Sequence, residues 1–244
     1  MKIALIGYGK MGQAIHSLAA NHQVIIIDPN HPDANFTEIN SDSLQGIDVA
    51  IDFTHPDCIM SNIEAVVTNG TNLVVGTTGW YDQMDKVQEL VNQNGVGFLW
   101  ASNFSIGVHM FWRILEKAAQ EFANHPEYDV FGHEFHHNQK ADSPSGTARS
   151  TAEIVLENSP SKSEISYETS HQKIEPTTLH FSSTRGGNVP GTHSIYFDSE
   201  ADTIEITHTA RSRHGFALGA VKCAEWLQGK TGFFTIEDYL NQNS

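Results

Sequence analysis

Ile3-Ala4-Leu5-Ile6-Gly7-Tyr8-Gly9-Lys10-Met11-Gly12 is the stretch that decides the fold of this chain. Four apolar residues without alternation read as a strand buried on both faces. The glycines follow at once in the spacing G-x-G-x-x-G and lead into residues 11–20, which read as a helix. In that context the first glycine permits a tight turn, the second lets the backbone approach a pyrophosphate, and the third lets helix and strand pack closely. Amides at the helix start then face the anion. Gly7, Tyr8, Gly9, Lys10, Met11 and Gly12 are therefore expected to cradle a dinucleotide.

Further apolar runs follow at Val24–Ile27, Val49–Ile51, Leu73–Val75 and Phe98–Ala101, with helical patterns near 57–68 and 81–94. Strand–helix alternation with wholly apolar strands predicts a parallel sheet covered on both faces. In such sheets ligands bind beyond the carboxyl ends of the strands. Asp28 ends the second strand, where its carboxylate can accept from ribose hydroxyls and repel a 2′-phosphate. The next residues, Pro29 and Asn30, bring no Lys or Arg. NADH is thus the expected cofactor, with NADPH open. Gly76-Thr77-Thr78-Gly79 and Ala101-Ser102-Asn103-Phe104 end two later strands and are rich in small residues that admit a cofactor, so both are expected to contact it.

Downstream the pattern changes. Residues 106–122 read as one amphipathic helix, with Phe111, Ile114, Leu115, Ala118 and Phe122 on one face. Tyr128–His137 reads as extended, 146–157 as a helix capped by Ser145, and 158–173 as a polar, Ser-rich surface loop. His193–Asp198 and Thr203–Thr209 read as antiparallel strands, and Phe216–Leu227 as a closing helix that returns to the first domain. The expected fold is α/β: a Rossmann-like doubly wound parallel sheet formed by 1–105 and 213–244. A second α+β domain, 106–212, is inserted before the C-terminal helix.

The formal net charge is −15. So acidic a surface repels phosphate backbones and anionic lipid, which argues against nucleic acid and membrane as partners. The apolar run at the N-terminus is too short for a signal peptide or a span, so a cytoplasmic setting is expected. Cys58 and Cys223 fit neither a disulfide framework nor a metal motif and are expected to be buried structural thiols.

The densest chemistry lies in His133-Glu134-Phe135-His136-His137-Asn138-Gln139-Lys140-Ala141-Asp142-Ser143-Pro144-Ser145-Gly146-Thr147. His133 to His137 spells H-E-x-x-H, a zinc signature that works only on a helix. On a strand the two histidines stand roughly 13 Å apart, too far for one zinc with bonds of about 2 Å. No metal is expected. His136 can donate a proton near neutral pH, Lys140 brings positive charge, and Ser145-Gly146-Thr147 opens a helix suited to a carboxylate.

At these residues the chain closely resembles the 4-hydroxy-tetrahydrodipicolinate (dihydrodipicolinate) reductase family of lysine and diaminopimelate synthesis. His136 to Ala148 is similar to the signature H-H-x-x-K-x-D-A-P-S-G-T-A, with Ser143 in place of its first alanine. Arg185–His193 and Arg213–Trp226 are similar as well. The resemblance implies an NAD(P)H-dependent oxidoreductase that reduces a small cyclic dicarboxylate. It implies His136 as proton donor or acceptor, Lys140 as a donor, and His137, Gly146 and Thr147 as substrate contacts; Ser145, with its hydroxyl at the helix start, is expected to bind substrate as well. It further implies domain closure over the nicotinamide and a homotetramer joined through sheets of the second domain. Two other readings compete: a reductase of another amino-acid precursor, and a nucleotide sensor without turnover. The intact acid and lysine argue against the sensor.

Overall fold

The computed structural model describes residues 1–242. The chain divides into two compact units: Met1–Ser105 with the segment from Arg213 onward, and Ile106–Ser212.

The first unit begins with β1 (Lys2–Ile6), α1 (Lys10–Leu18), β2 (Gln23–Ile27), β3 (Val49–Asp52), α2 (Pro56–Thr68), β4 (Asn72–Val75), a single 3₁₀ turn at Tyr81–Gln83, α3 (Met84–Asn94) and β5 (Gly97–Trp100). The strands pair in parallel, as fully apolar runs should. Pro56 opens α2, where its missing N–H costs nothing. Gly95 ends α3 in the left-handed region at φ 62°. Ile59, Ile63, Val66 and Val67 of α2 are fully buried in the core. Each such side chain contributes roughly 1.5–3 kcal/mol by burial.

The second unit holds α4 (Ile106–Phe122), β6 (Asp129–His136), α5 (Gly146–Asn158), β7 (Glu164–Ser166), β8 (Thr178–Arg185), β9 (Thr192–Asp198) and β10 (Thr203–Thr209). Its mixed sheet runs β10-β9-β6-β8-β7, with β6 in the centre. Helices α4 and α5 cover one face, where Leu115, Ala152, Phe181, Ile195 and Phe197 form the core. Ile114, expected on the buried stripe, is 56% exposed; Phe111, Leu115 and Ala119 carry the contact instead. The stretch 158–173 departs from a plain surface loop. It contains β7, and the Lys162 ammonium is buried against Asp129 and the carbonyls of Pro176 and Thr178.

The chain then returns with α6 (His214–Leu227), β11 (Gly232–Thr235) and α7 (Ile236–Gln242). Helix α6 packs on α1 and on β3, β4 and β5. Strand β11 adds beside β5, giving the parallel order β11-β5-β4-β3-β1-β2. The order reverses at β1, so the Gly7–Gly12 turn lies at the topological switch point. The expected doubly wound sheet with an inserted α+β unit is the fold observed. No helix among the described residues is long and apolar enough to cross a membrane.

Candidate active site

The glycine turn behaves as its spacing demands. Gly7 sits at φ +87°, and a Cβ there would meet the Phe53 carbonyl oxygen at 2.7 Å. A Cβ on Gly12 would stand 2.2 Å from the Gly7 carbonyl oxygen, so helix and turn touch only because the side chain is missing. At Gly9 a Cβ would meet nothing within 4 Å, which leaves the backbone open to a ligand. A cleft of about 630 Å³ adjoins the turn. Gly7, Gly9 and Asp28 line it, together with Glu38, Thr54 and Asn62.

Asp28 Oδ2 accepts from the Tyr8 amide at 2.8 Å, while Oδ1 accepts from the amides of Asn30 and His31. Burial pushes the Asp28 carboxyl up, but these amide bonds outweigh it and hold the group below its ordinary range. The acid thus closes the turn as well as facing the cleft.

The other expected cofactor contacts are outside that cleft. Thr77 is buried, donating to Asp52 Oδ1 at 2.7 Å and accepting from the Thr54 amide. Ala101 and Phe104 are buried, whereas Thr78 and Ser102 are exposed. Gly76 abuts the Phe53 ring, where a Cβ would clash at 2.1 Å. Asn103 accepts from the Ser105 amide. Tyr8 approaches His16 through its hydroxyl, and Lys10 and Met11 begin α1. Cys223 is buried as expected, its thiol pushed up to about 12 by desolvation. Cys58 is not: it is half-buried and lines the cleft.

In the second unit the pleat of β6 builds a cluster. Alternate residues share a face, so Glu134 and His136 point inward while Phe131 and Phe135 point out. Glu134 stands opposite His193 of β9 and Ser183 of β8, and His136 opposite Arg185. Glu134 Oε1 accepts from Ser183 Oγ at 2.7 Å, from Arg185 Nη2 at 2.8 Å and from the Ser145 amide at 3.0 Å. Its Oε2 lies 3.1 Å from His136 Nδ1 and 3.4 Å from His193 Nε2. Burial pushes the Glu134 carboxyl up, but His136, His193, Ser145 and Arg185 together hold it far below the usual carboxylate range. Burial depresses His193, which favours its neutral form. Glu134, His136 and His193 bring ligand-type atoms within 4.8 Å of one another. The cation that meets this carboxylate in the structure is the Arg185 guanidinium.

After His136 the chain turns through the expected site residues. The His137 amide donates to the Val189 carbonyl. Lys140 Nζ pairs with Asp142 Oδ1 at 2.8 Å. Ser145 caps α5, accepting from the Ala148 amide, and its hydroxyl lies 3.1 Å from His193 Nε2. That hydroxyl is buried and already engaged, while Gly146 is exposed at the helix start. Sequence reasoning placed His136 and Lys140 but left out Glu134, Ser183, Arg185 and His193 as site residues. The i, i+2 spacing of Glu134 and His136 on a strand was the available signal.

Two family models match the chain: "Dihydrodipicolinate reductase, N-terminus" over residues 1–104 and "Dihydrodipicolinate reductase, C-terminus" over 107–240. The 4-hydroxy-tetrahydrodipicolinate reductase of Christiangramia forsetii is 43% identical over 242 residues, covering 99% of this chain and 98% of the relative. The protein of the same name from Neisseria gonorrhoeae is 31% identical over 100% of this chain and 98% of its own length. A dipicolinate-bound dihydrodipicolinate reductase from Paenisporosarcina sp. TG-14 shares the fold, with a TM-score of 0.77 at 24% identity over 98% of each chain. An amine dehydrogenase from Mycobacterium smegmatis shares it more loosely, with a TM-score of 0.62 at 10% identity over 97% of this chain. Matched along both units by models and relatives alike, this chain belongs to the dihydrodipicolinate reductase family.

Proposed function

We propose that the chain reduces 4-hydroxy-tetrahydrodipicolinate to tetrahydrodipicolinate at the expense of NAD(P)H, in lysine and diaminopimelate synthesis. The observation that carries this is the run from His136 through Lys140 to the start of α5. It sets a proton donor, an ammonium and a helix N-terminus along one short loop. That is the equipment a small dianionic imine needs.

The first unit would hold the dinucleotide, with its pyrophosphate at Gly9 and α1 and its adenosine ribose near Asp28. A bound dihydronicotinamide supplies the hydride for a ring carbon conjugated with the imine. That conjugation forms first, when the hydroxyl leaves as water together with a proton from the neighbouring ring carbon. After hydride addition His136 and Lys140 face the electron density that reaches the ring nitrogen, and they donate the one proton it takes up. The amides of Gly146 and Thr147 with His137 would hold a substrate carboxylate, while Ser145 fixes the loop from beneath.

NADH is the proposed preference. Asp28 and Glu38 both line the cleft, and no Lys or Arg lines it among the described residues. A homotetramer is proposed through the second unit, whose sheet leaves Phe131, Phe135 and Ile204 between 38% and 44% exposed on one protomer. A cytoplasmic setting suits two free thiols.

The test is direct. Purified protein receives freshly generated substrate and either NADH or NADPH, and the loss of dihydronicotinamide absorbance is followed. Oxidation with a higher kcat/KM for NADH is expected. No oxidation with either cofactor overturns the proposal.

A further inference from the structure

We propose that Glu134 is a positioning residue. It holds the proton of His136 on Nδ1 and leaves Nε2 as the working nitrogen. The inference rests on the proposed role of His136 and adds a residue that acts only through it.

The geometry is that of a carboxylate–imidazole dyad built on one strand. Glu134 is fully buried and His136 is 7% exposed. Glu134 Oε2 and His136 Nδ1 are both buried without a hydrogen-bond partner, and they lie 3.1 Å apart, short of good alignment. Two lone pairs facing each other at that distance, away from water, would repel. A proton on Nδ1, with the ring turned to aim it at Oε2, removes the conflict. The neutral ring can carry one proton, so Nε2 is then left with its lone pair or, in the imidazolium, with a proton to give.

The opposite edge of the ring fits this assignment. Gly191 faces Nε2 so closely that a Cβ there would stand 2.9 Å away. A glycine at that point keeps the second nitrogen clear. The charged neighbours on every side are accounted for: Arg185 on β8 grips the other carboxylate oxygen, His193 on β9 shares Oε2, and Lys140 follows in the loop, paired with Asp142. The Arg185 bond keeps Glu134 ionised, and an ionised carboxylate is what orders the Nδ1 proton and stabilises the imidazolium.

The tautomer can be read in the wild-type protein. Nitrogen-15 histidine-labelled protein is examined near neutral pH and above, and His136 is assigned by comparison with His136→Asn. The Nδ1–H form is expected for neutral His136; the Nε2–H form would overturn the proposal. Glu134→Gln supplies the kinetic arm, with folding checked by circular dichroism. Its kcat should fall by on the order of a hundredfold, the lower range for a positioned acid, with NADH affinity unchanged. The alkaline limb of its kcat–pH profile should move to lower pH. An unchanged kcat and profile would overturn the proposal. If wild-type protein fails to turn over substrate, the functional reading fails, and the tautomer measurement still decides the place of Glu134.

Discussion

Lys140 Nζ lies 2.8 Å from Asp142 Oδ1, so the ammonium proposed to meet the substrate is held by a carboxylate two residues away in its own loop. Burial raises the Asp142 carboxyl, but the hydrogen bond and charge of Lys140, with smaller help from a backbone amide and Arg185, outweigh it and hold the acid below its ordinary range. Asp142 is more than half exposed, so the pair is well screened and adds little stability. Lys140→Ala should therefore lower kcat by roughly a hundredfold or more while NADH binding, measured by fluorescence titration, stays as in the wild type. Retained turnover would show that Lys140 has been misplaced in the chemistry.

Gly9 and Gly12 separate binding from folding. Gly9 lies at φ −72°, which any residue adopts, and a Cβ there enters open space. Gly9→Ala should fold with an unchanged melting temperature yet bind NADH at least about tenfold more weakly, because the methyl occupies the approach of the pyrophosphate. Gly12→Ala puts a Cβ 2.2 Å from a backbone oxygen. It should lower stability by about 1–3 kcal/mol or more, the usual cost of overpacking. Equal stability losses for the two variants would contradict these assignments.

Asp28 offers a test of cofactor choice. Asp28→Ala removes a negative charge from the cleft but also three amide bonds of the turn. Activity with NADH should fall, and the ratio of kcat/KM for NADPH over NADH should rise. A ratio that stays constant would mean that Asp28 does not face the ribose.

Stability should decline in two steps as the pH falls. His193 is held below its ordinary value near 6.5, first by burial. His133 and His208 are depressed for the same reason. A histidine kept neutral by the fold contributes stability that is whole above its unfolded pKa and is lost below it. Glu134, Asp28 and Asp142 are depressed carboxyls, so their contribution is whole above about pH 4.5 and is lost only in stronger acid. Urea midpoints should therefore drop first between about pH 6.5 and 5, then again in stronger acid. His193→Gln should flatten the first step. A flat wild-type midpoint from about pH 8 to 5 would rule the histidines out.

Much of this was legible in the chain itself. The turn at Gly7–Gly12, the apolar parallel strands and the inserted unit all rest on local pattern, and local pattern survives in one sequence. The extended run at Tyr128–His137 was legible too, and β6 occupies Asp129–His136 of it. What could not be read was partnership. Glu134 meets Arg185 and His193 only through the register of β6 with β8 and β9. Strand β8 ends in Ser182, Ser183 and Thr184, which show no apolar alternation, although Ser183 donates to Glu134. Thr77, Ala101 and Phe104 sit at strand ends, as a cofactor contact should, yet are buried. Position along the chain does not say which way a strand end faces.

Lys162 is the sharpest instance of hidden partnership, and it yields the last prediction. It lies in a polar stretch that reads as surface, yet its side chain is only 2% exposed. Its ammonium meets Asp129 at 2.5 Å and the carbonyls of Pro176 and Thr178 at 2.8 and 3.1 Å, tying the start of β6 to the start of β8. Lys162→Met keeps the length and apolar stem but leaves two carbonyls without their donor. Asp129 is mostly exposed and can turn to water, which limits the loss. The expected cost is about 2–3 kcal/mol in urea denaturation, from hydrogen bonds made by a charged donor. Because β6 also carries Glu134 and His136, the variant tests whether this anchor reaches the site. The register of β6 is pinned along its whole length by β8 and β9, so kcat at moderate temperature should stay within about twofold of wild type. A large fall in kcat with unchanged stability would reverse that argument and give Lys162 a part in the chemistry.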